Sequence, residues 1–171
     1  MSMYPIATLS NPTGRIDFTN IPQTFTHLQM RIFGRYSGAA ATTNMPIQFN
    51  NDVGGNDYYT HWINGDGASA TSSSQGPITY GYSFLVGGGS TANVFSSVII
   101  DILDYTNTNK NKTMRMLSGY DANGSGSVRL TSSAWFSTAA INIFSVDIGN
   151  YWATGSRIDL YGISTSNATG A

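Results

Sequence analysis

The sequence predicts an all-β protein, a single jelly-roll-like antiparallel β-sandwich, and three observations carry that expectation. The chain of 171 residues contains no glutamate, and only 10% of it is charged. Long helices in water draw on Glu, Lys, Gln, Arg and Leu for their exposed faces, and that vocabulary is thin here. Apolar and small polar residues alternate with period two in segment after segment, as half-buried strands require. Between those segments stand Gly, Asn, Asp and Ser, the residues that turns need.

Leu28, Met30 and Ile32 define one face of the first clear strand, whose other face carries Gln29, Arg31 and Phe33. Ile47 and Phe49 repeat the pattern, and Asn64-Gly65-Asp66-Gly67 closes the run that follows. Ile78, Tyr80, Tyr82, Phe84 and Val86 predict one uninterrupted strand, ended by Gly87-Gly88-Gly89. Met114 and Met116 alternate with Thr113 and Arg115, and Asn123-Gly124 predicts a tight hairpin into the strand of Val128 and Leu130. Phe144, Val146 and Ile148, then Ile158 and Leu160, complete about nine strands, the spacing of a sandwich. Residues 68–76 (ASATSSSQG) read as a mobile loop. No linker or repeat divides the chain, so residues 1–171 form one domain, with an ordered core over about 4–163 and a flexible tail over 164–171.

One strand departs from the half-buried pattern. In residues 93–105 (NVFSSVIIDILDY), Val98, Ile100 and Ile102 share one face while Ile99 and Leu103 occupy the other. A strand apolar on both sides is covered on both sides. The cover is either a loop of the same chain, such as residues 68–76 or the N-terminal segment, or a neighbouring subunit. The low-charge surface suits an assembled protein better than a free monomer. The expectation is therefore a homo-oligomer whose interface includes Val98, Ile99, Asp101, Leu103 and Tyr105.

Composition narrows the function. A net charge of -1 offers nothing to attract nucleic acid or anionic lipid. With no cysteine there are no disulfides, no thiolate catalysis and no Cys-based zinc site. The start of the chain lacks a basic region followed by an apolar core, so synthesis in a cytoplasm is expected.

The candidate motifs are weak as chemistry. Asp121, Asn123 and Ser125 resemble the first half of an EF-hand loop, but its twelfth position is Ser132 rather than a bidentate acid. Asn50, Asn51, Asp52, Asn56 and Asp57 form an oxygen-rich cluster without metal-ligand spacing. His27 and His61 are the two histidines, and no G-x-S-x-G elbow accompanies them. Asp101 and Asp104 fall on opposite faces of a continuous strand and so cannot pair as glycosidase carboxylates. Residues 107–112 (NTNKNK) read as a solvated loop with too few lysines for a nucleic-acid site. No catalytic residue, cofactor or metal site is expected. Tyr58, Tyr59, Trp62, Trp135 and Trp152 are the candidates for a ligand or partner surface, against the commoner role of aromatic residues in a core.

The segments THLQMRIFGR (26–35), IQFNND (47–52), DYYTHWINGDG (57–67), VIIDILDYTNTNKNKTMRMLSGYD (98–121) and SRIDLYGI (156–163) resemble a diffuse family of small β-sandwich modules in virion proteins of tailed bacteriophages. The most specific part is D-Y-x-N-T-x-K-x-K after an apolar strand, with a closing L-Y-G-I. The resemblance implies a non-enzymatic structural or binding protein of the virion. Without a coiled coil or Gly-X-Y shaft, a capsid decoration (cement) protein bound to the major capsid protein is expected first. A tail-fibre or tail-tip module recognising a host-surface glycan is expected second. Lattice decorations and fibre tips imply a homotrimer.

Overall fold

The computed structural model describes residues 2–165. Among them are twelve strands and no helix: β1 (Ser2–Ser10), β2 (Ile16–Phe18), β3 (His27–Gly34), β4 (Thr42–Phe49), β5 (Tyr58–Gly65), β6 (Ala70–Ile78), β7 (Gly81–Val86), β8 (Ser96–Ile102), β9 (Lys112–Asp121), β10 (Gly126–Trp135), β11 (Phe144–Val146) and β12 (Arg157–Ser164). They form an antiparallel sandwich of an eight-stranded sheet, ordered β1-β12-β3-β8-β9-β10-β5-β6, and a four-stranded sheet, ordered β2-β11-β4-β7. The pairs β1·β12, β2·β11, β3·β8, β4·β7 and β5·β6 nest inside one another. That is a long antiparallel hairpin rolled across two sheets, the jelly-roll arrangement, with β9 and β10 added as one further hairpin.

The abundance of asparagine has a local cause. Every described non-glycine residue with left-handed backbone is Asn or Asp: Asn11, Asn20, Asn50, Asn51, Asn93, Asp104 and Asn123. These side chains tolerate positive φ better than others do. At the β9–β10 hairpin, Asn123 (φ 60) and Gly124 (φ 99) make the two-residue turn expected of that dipeptide.

The core lies between the sheets. Leu28, Met30, Ile32, Val98, Ile100, Ile102, Met114, Met116, Ile158 and Leu160 pack from the large sheet, and Met45, Ile47, Phe49, Phe144 and Val146 from the small one. An aromatic group ties the layers at one end. Phe49 lies 5.3 Å from Phe144 and 5.6 Å from Trp135, and the amide of Phe49 donates to the Tyr58 hydroxyl at 2.8 Å. Burial pushes the Tyr58 phenol well above its ordinary range, so it stays a neutral partner.

Several expectations are corrected. Residues 68–76 are not a loop: from Ala70 onward they form β6, the edge strand paired with β5. Ser and Thr side chains suit an exposed edge strand as well as a linker, so composition misled. The run from Ile78 to Val86 is not one strand either. β6 ends at Ile78, and β7 begins in the other sheet at Gly81, where a Cβ would lie 2.6 Å from the Met114 methyl. Alternation persists across a sheet-to-sheet crossing, which periodicity does not report. The tail expected over 164–171 lies outside the described residues from 166 onward, while Ser164 belongs to β12 opposite Ser2.

Residues 107–112 are not simply solvated, because Lys112 is fully buried at the start of β9. Its ammonium donates to the carbonyls of Asn107, Lys110 and Thr138 at 2.6, 2.8 and 3.1 Å, stapling the β8–β9 loop to the segment after β10. Burial lowers its pKa, and no carboxylate shares the site. Lys112→Met keeps the stem and removes three bonds. It is expected to destabilise the fold by about 1–3 kcal/mol, read as a lower thermal midpoint; an unchanged midpoint would show the staple to be idle.

Acid sensitivity follows from the carboxylates. Asp159 joins β12 to β1: it accepts from Thr8 at 2.7 Å and from Arg157 at 2.9 and 3.0 Å. Burial pushes its pKa up, but those hydrogen bonds outweigh it and hold the group below its ordinary value. Asp17 behaves alike, with Ser145 and Arg15 opposing burial. Groups depressed in the native state contribute stability that is complete above their unfolded values and lost as pH falls through the native ones. The contribution of these carboxylates should be complete above about pH 5 and fall below about pH 4, read as a loss of unfolding free energy on acidification through that range; a rise there would contradict these assignments.

Candidate functional site

The large sheet has a second face, turned away from the core, and its side chains follow from the ladder register. Ile99 pairs with Leu117, Leu117 with Leu130, and Leu130 with Ile63. Four aliphatic side chains therefore stand side by side across β8, β9, β10 and β5. Leu117, Leu130 and Ile63 are 50%, 45% and 58% exposed, and Ile99 is half-buried. The neighbouring positions Phe33 and Val128 are exposed as well. Scattered surface hydrophobics are ordinary, but a contiguous row marks an interaction surface.

β5 and β10 explain why this face is apolar. In most strands of the large sheet the aliphatic residues point inward. In β10 the inward positions are Arg129, Thr131 and Ser133, and the outward ones Val128 and Leu130. In β5 the inward Thr60 shares a 2.6 Å hydrogen bond with Ser133, while Ile63 points outward. Their amphipathicity is inverted because β7 presses against this part of the sheet, where Gly81 would clash with both Met114 and Ser133 if it carried a Cβ. Small polar residues fit that close approach, and the bulky ones are left outside.

Beside the aliphatic row runs a polar one: Gln29, Asp101, Arg115, Ser132, His61 and Ser74, each opposite the next. Between the rows and the β8–β9 loop lies a groove of about 420 Å³ lined by Asp101, Leu103, Asp104, Lys110, Arg115 and Leu130. A second hollow of about 500 Å³, on the other side of Leu130, is lined by His61, Ile63, Ser72 and Ser74. Asp101 and Asp104 do share the first groove, contrary to the strand-parity expectation. β8 ends at Ile102, and Asp104 has left-handed backbone (φ 50). Both carboxylates are engaged. Gln29 donates to Asp101 at 2.8 Å with Arg115 3.7 Å away, and Lys110 donates to Asp104 at 2.8 Å. That bond holds the Asp104 carboxyl below its usual range, the opposite of what a general acid at neutral pH needs. The His27 ring accepts the Asp104 amide through Nδ1 at 3.0 Å, from β3 between β12 and β8.

The structure divides the expected interface residues. Ile99, Asp101 and Leu103 (57% exposed) lie on the outer face. Val98 and Tyr105 do not: both are core, and the Tyr105 hydroxyl donates to the Pro22 carbonyl. The outer face is also not covered by residues 68–76 or by the N-terminal strand, since β6 and β1 are the two edges of the same sheet. Of the aromatic candidates, Tyr58, Trp135 and Trp152 are buried, the indoles of the last two donating to Asp52 at 2.7 Å and to the Gly14 carbonyl at 3.0 Å. Tyr59 is exposed, edge-on to exposed Phe136 at 5.1 Å. Trp62 is half-buried on the inward side, its ring 4.5 Å from the Arg129 guanidinium.

Leu117, Leu130 and Ile63 were missed as site residues. A signal existed: the Asn123-Gly124 turn alone places Leu117 opposite Leu130. No family model, curated protein or solved structure matches the chain.

The oxygen-rich loops have internal duties. Asp121 accepts the Asn123 amide at 2.8 Å within the hairpin turn. Asn50 Oδ1 accepts the amides of Asn142 and Ile143 at 2.9 and 3.1 Å, Asn51 accepts from Arg15 at 3.1 Å, and Asp52 accepts from Trp135. Thermal melts recorded with calcium and with chelator should therefore coincide; a midpoint lowered by chelator by more than several degrees, on the order of 1 kcal/mol or more, would reveal a structural metal.

Proposed function

We propose that this protein is a non-catalytic structural protein of a tailed-bacteriophage virion, a capsid decoration protein that docks through the outer face of its large sheet. The observation that carries the docking surface is the exposed row Ile99, Leu117, Leu130 and Ile63. Its place on the virion comes from the resemblance of residues 98–121 and 156–163 to virion modules. In this reading the row packs against a neighbouring copy and the capsid lattice, in the threefold arrangement that the resemblance implies. Because these side chains are already about half buried, covering each Leu or Ile would contribute roughly 1 kcal/mol towards the cost of association. The exposed Tyr59–Phe136 pair favours a second reading, a tail-tip module that stacks these rings on a host-surface glycan.

Two measurements test the proposal. Light scattering at micromolar concentration should give an oligomer for the native chain. Leu117→Lys with Leu130→Glu, opposite charges on directly paired residues, should give a folded monomer. A native monomer would refute self-assembly in free solution and leave docking on the capsid lattice as the remaining use of this face; an unchanged oligomer in the variant would refute assembly through it. Copy number in purified particles separates head from tail: hundreds of copies support decoration, and a few tens or fewer support the tail-tip reading.

A further inference from the structure

A second feature, on the opposite side of the same sheet, is independent of the assembly reading. Arg129 of β10 points inward, and its guanidinium carbon lies over two aromatic rings, 4.5 Å from the centroids of both Trp62 (β5) and Phe84 (β7). Its one hydrogen bond is from Nε to Asn64 Oδ1, at 3.4 Å. That acceptor is already taken by the Ser127 hydroxyl at 2.6 Å. The two Nη groups have no partner among the described residues.

Of the other seven cations, exposed Arg31 donates to Gln29 and lies over the Tyr161 ring with Asp159 nearby; Arg15, Lys110, Arg115 and Arg157 face aspartates, and Arg35 and Lys112 are wrapped by main-chain carbonyls. Arg129 has neither. Burial lowers its pKa, and the Tyr82 phenol is the one group nearby that opposes the shift. Donors are in surplus around it. Ser118, its directly paired neighbour on β9, is buried with a hydroxyl that has no partner, and so is Thr131 two residues along β10. The neighbours of Arg129 on β5, β9, β10 and β7 are Trp62, Asn64, Ser118, Thr131, Tyr82 and Phe84, with no carboxylate among them. Next to Trp62 and Asn64, β6 presents the exposed hydroxyls of Ser73 and Thr71.

A planar cation packed against two rings keeps its unpartnered Nη edge for a ligand, and that edge matches a carboxylate in bidentate fashion. An indole flanked by neutral hydroxyls and amides suits a pyranose ring. We propose that Arg129, with Trp62 and the hydroxyl edge of β6, forms a binding site for a carboxylated sugar, the carboxylate meeting the Nη edge of Arg129.

The test follows the indole N–H resonances of the native protein during titration. Trp135 and Trp152 donate to internal acceptors, so Trp62 is the reporter. Galacturonic acid and N-acetylneuraminic acid represent the two sources of a sugar carboxylate; galactose and propionate are the controls. The Trp62 signal should move with a millimolar midpoint for at least one acidic sugar. The midpoint should weaken by at least about tenfold in Arg129→Gln and weaken also in Arg129→Lys, which keeps the charge but not the fork. Absence of a shift with either acid, an equal response to galactose, an equal response to propionate, or undiminished binding in both variants would each overturn the proposal. Should Arg129→Gln unfold, the native titrations and Arg129→Lys decide.

Discussion

A two-residue turn decides which side chains of the large sheet meet the core. Asn123 and Gly124 supply the left-handed pair that a tight hairpin demands. That turn sets Leu117 opposite Leu130 and Met116 opposite Thr131. Because strand side chains alternate with period two, a slip of one residue would exchange every inward group of β10 for an outward one. The register then passes through β9 to β8 and β3, and through β10 to β5 and β6. Everything said of either face depends on it.

From that register comes an unusual division of labour. On the side of β12, β3, β8 and β9, inward Met, Ile and Leu build the core against the small sheet. On the side of β10 and β5, the close approach of β7 at Gly81 leaves room only for small groups at Ser133 and Thr60, which bond to each other. Further along the same strands Arg129 and Trp62 face inward, with Phe84 of β7 over the guanidinium. The aliphatic residues of β10 and β5 are displaced to the outer face, where they meet Leu117 and Ile99. One constraint thus produces both candidate sites: an apolar row outside, and a cation without an anion inside.

Much of the fold was legible in the sequence because it rests on local chemistry. Missing glutamate, alternating β-branched residues and an Asn-Gly pair each act within a few residues. What was not legible depends on partners distant in the chain. Val98 and Ile99 look equivalent in sequence, yet the ladder makes one core and the other surface. Tyr58, Trp135 and Trp152 read equally well as surface or core; the convergence of β4, β5, β10 and β11 decides for the first two, and the bridge to Tyr36 with the Gly14 carbonyl for Trp152. The polar composition of residues 68–76 could not separate a loop from an edge strand, since neither is covered. Lys112 stood in a run that looked solvated, and its burial depends on the carbonyl of Thr138. The Leu117–Leu130 pair was available from hairpin arithmetic, but which face of that hairpin met the core was not.

The absence of cysteine from the chain permits a direct measurement of the two faces. Single cysteines replacing Leu117 and Met116, adjacent residues on opposite sides of β9, can each be labelled with a thiol reagent at a dilution where light scattering shows the monomer. The account predicts that Leu117→Cys reacts at least about a hundredfold faster than Met116→Cys, whose labelling must await opening of the sandwich. Equal protection at both positions, or faster reaction at Met116→Cys, would contradict the register and with it the outer face described here.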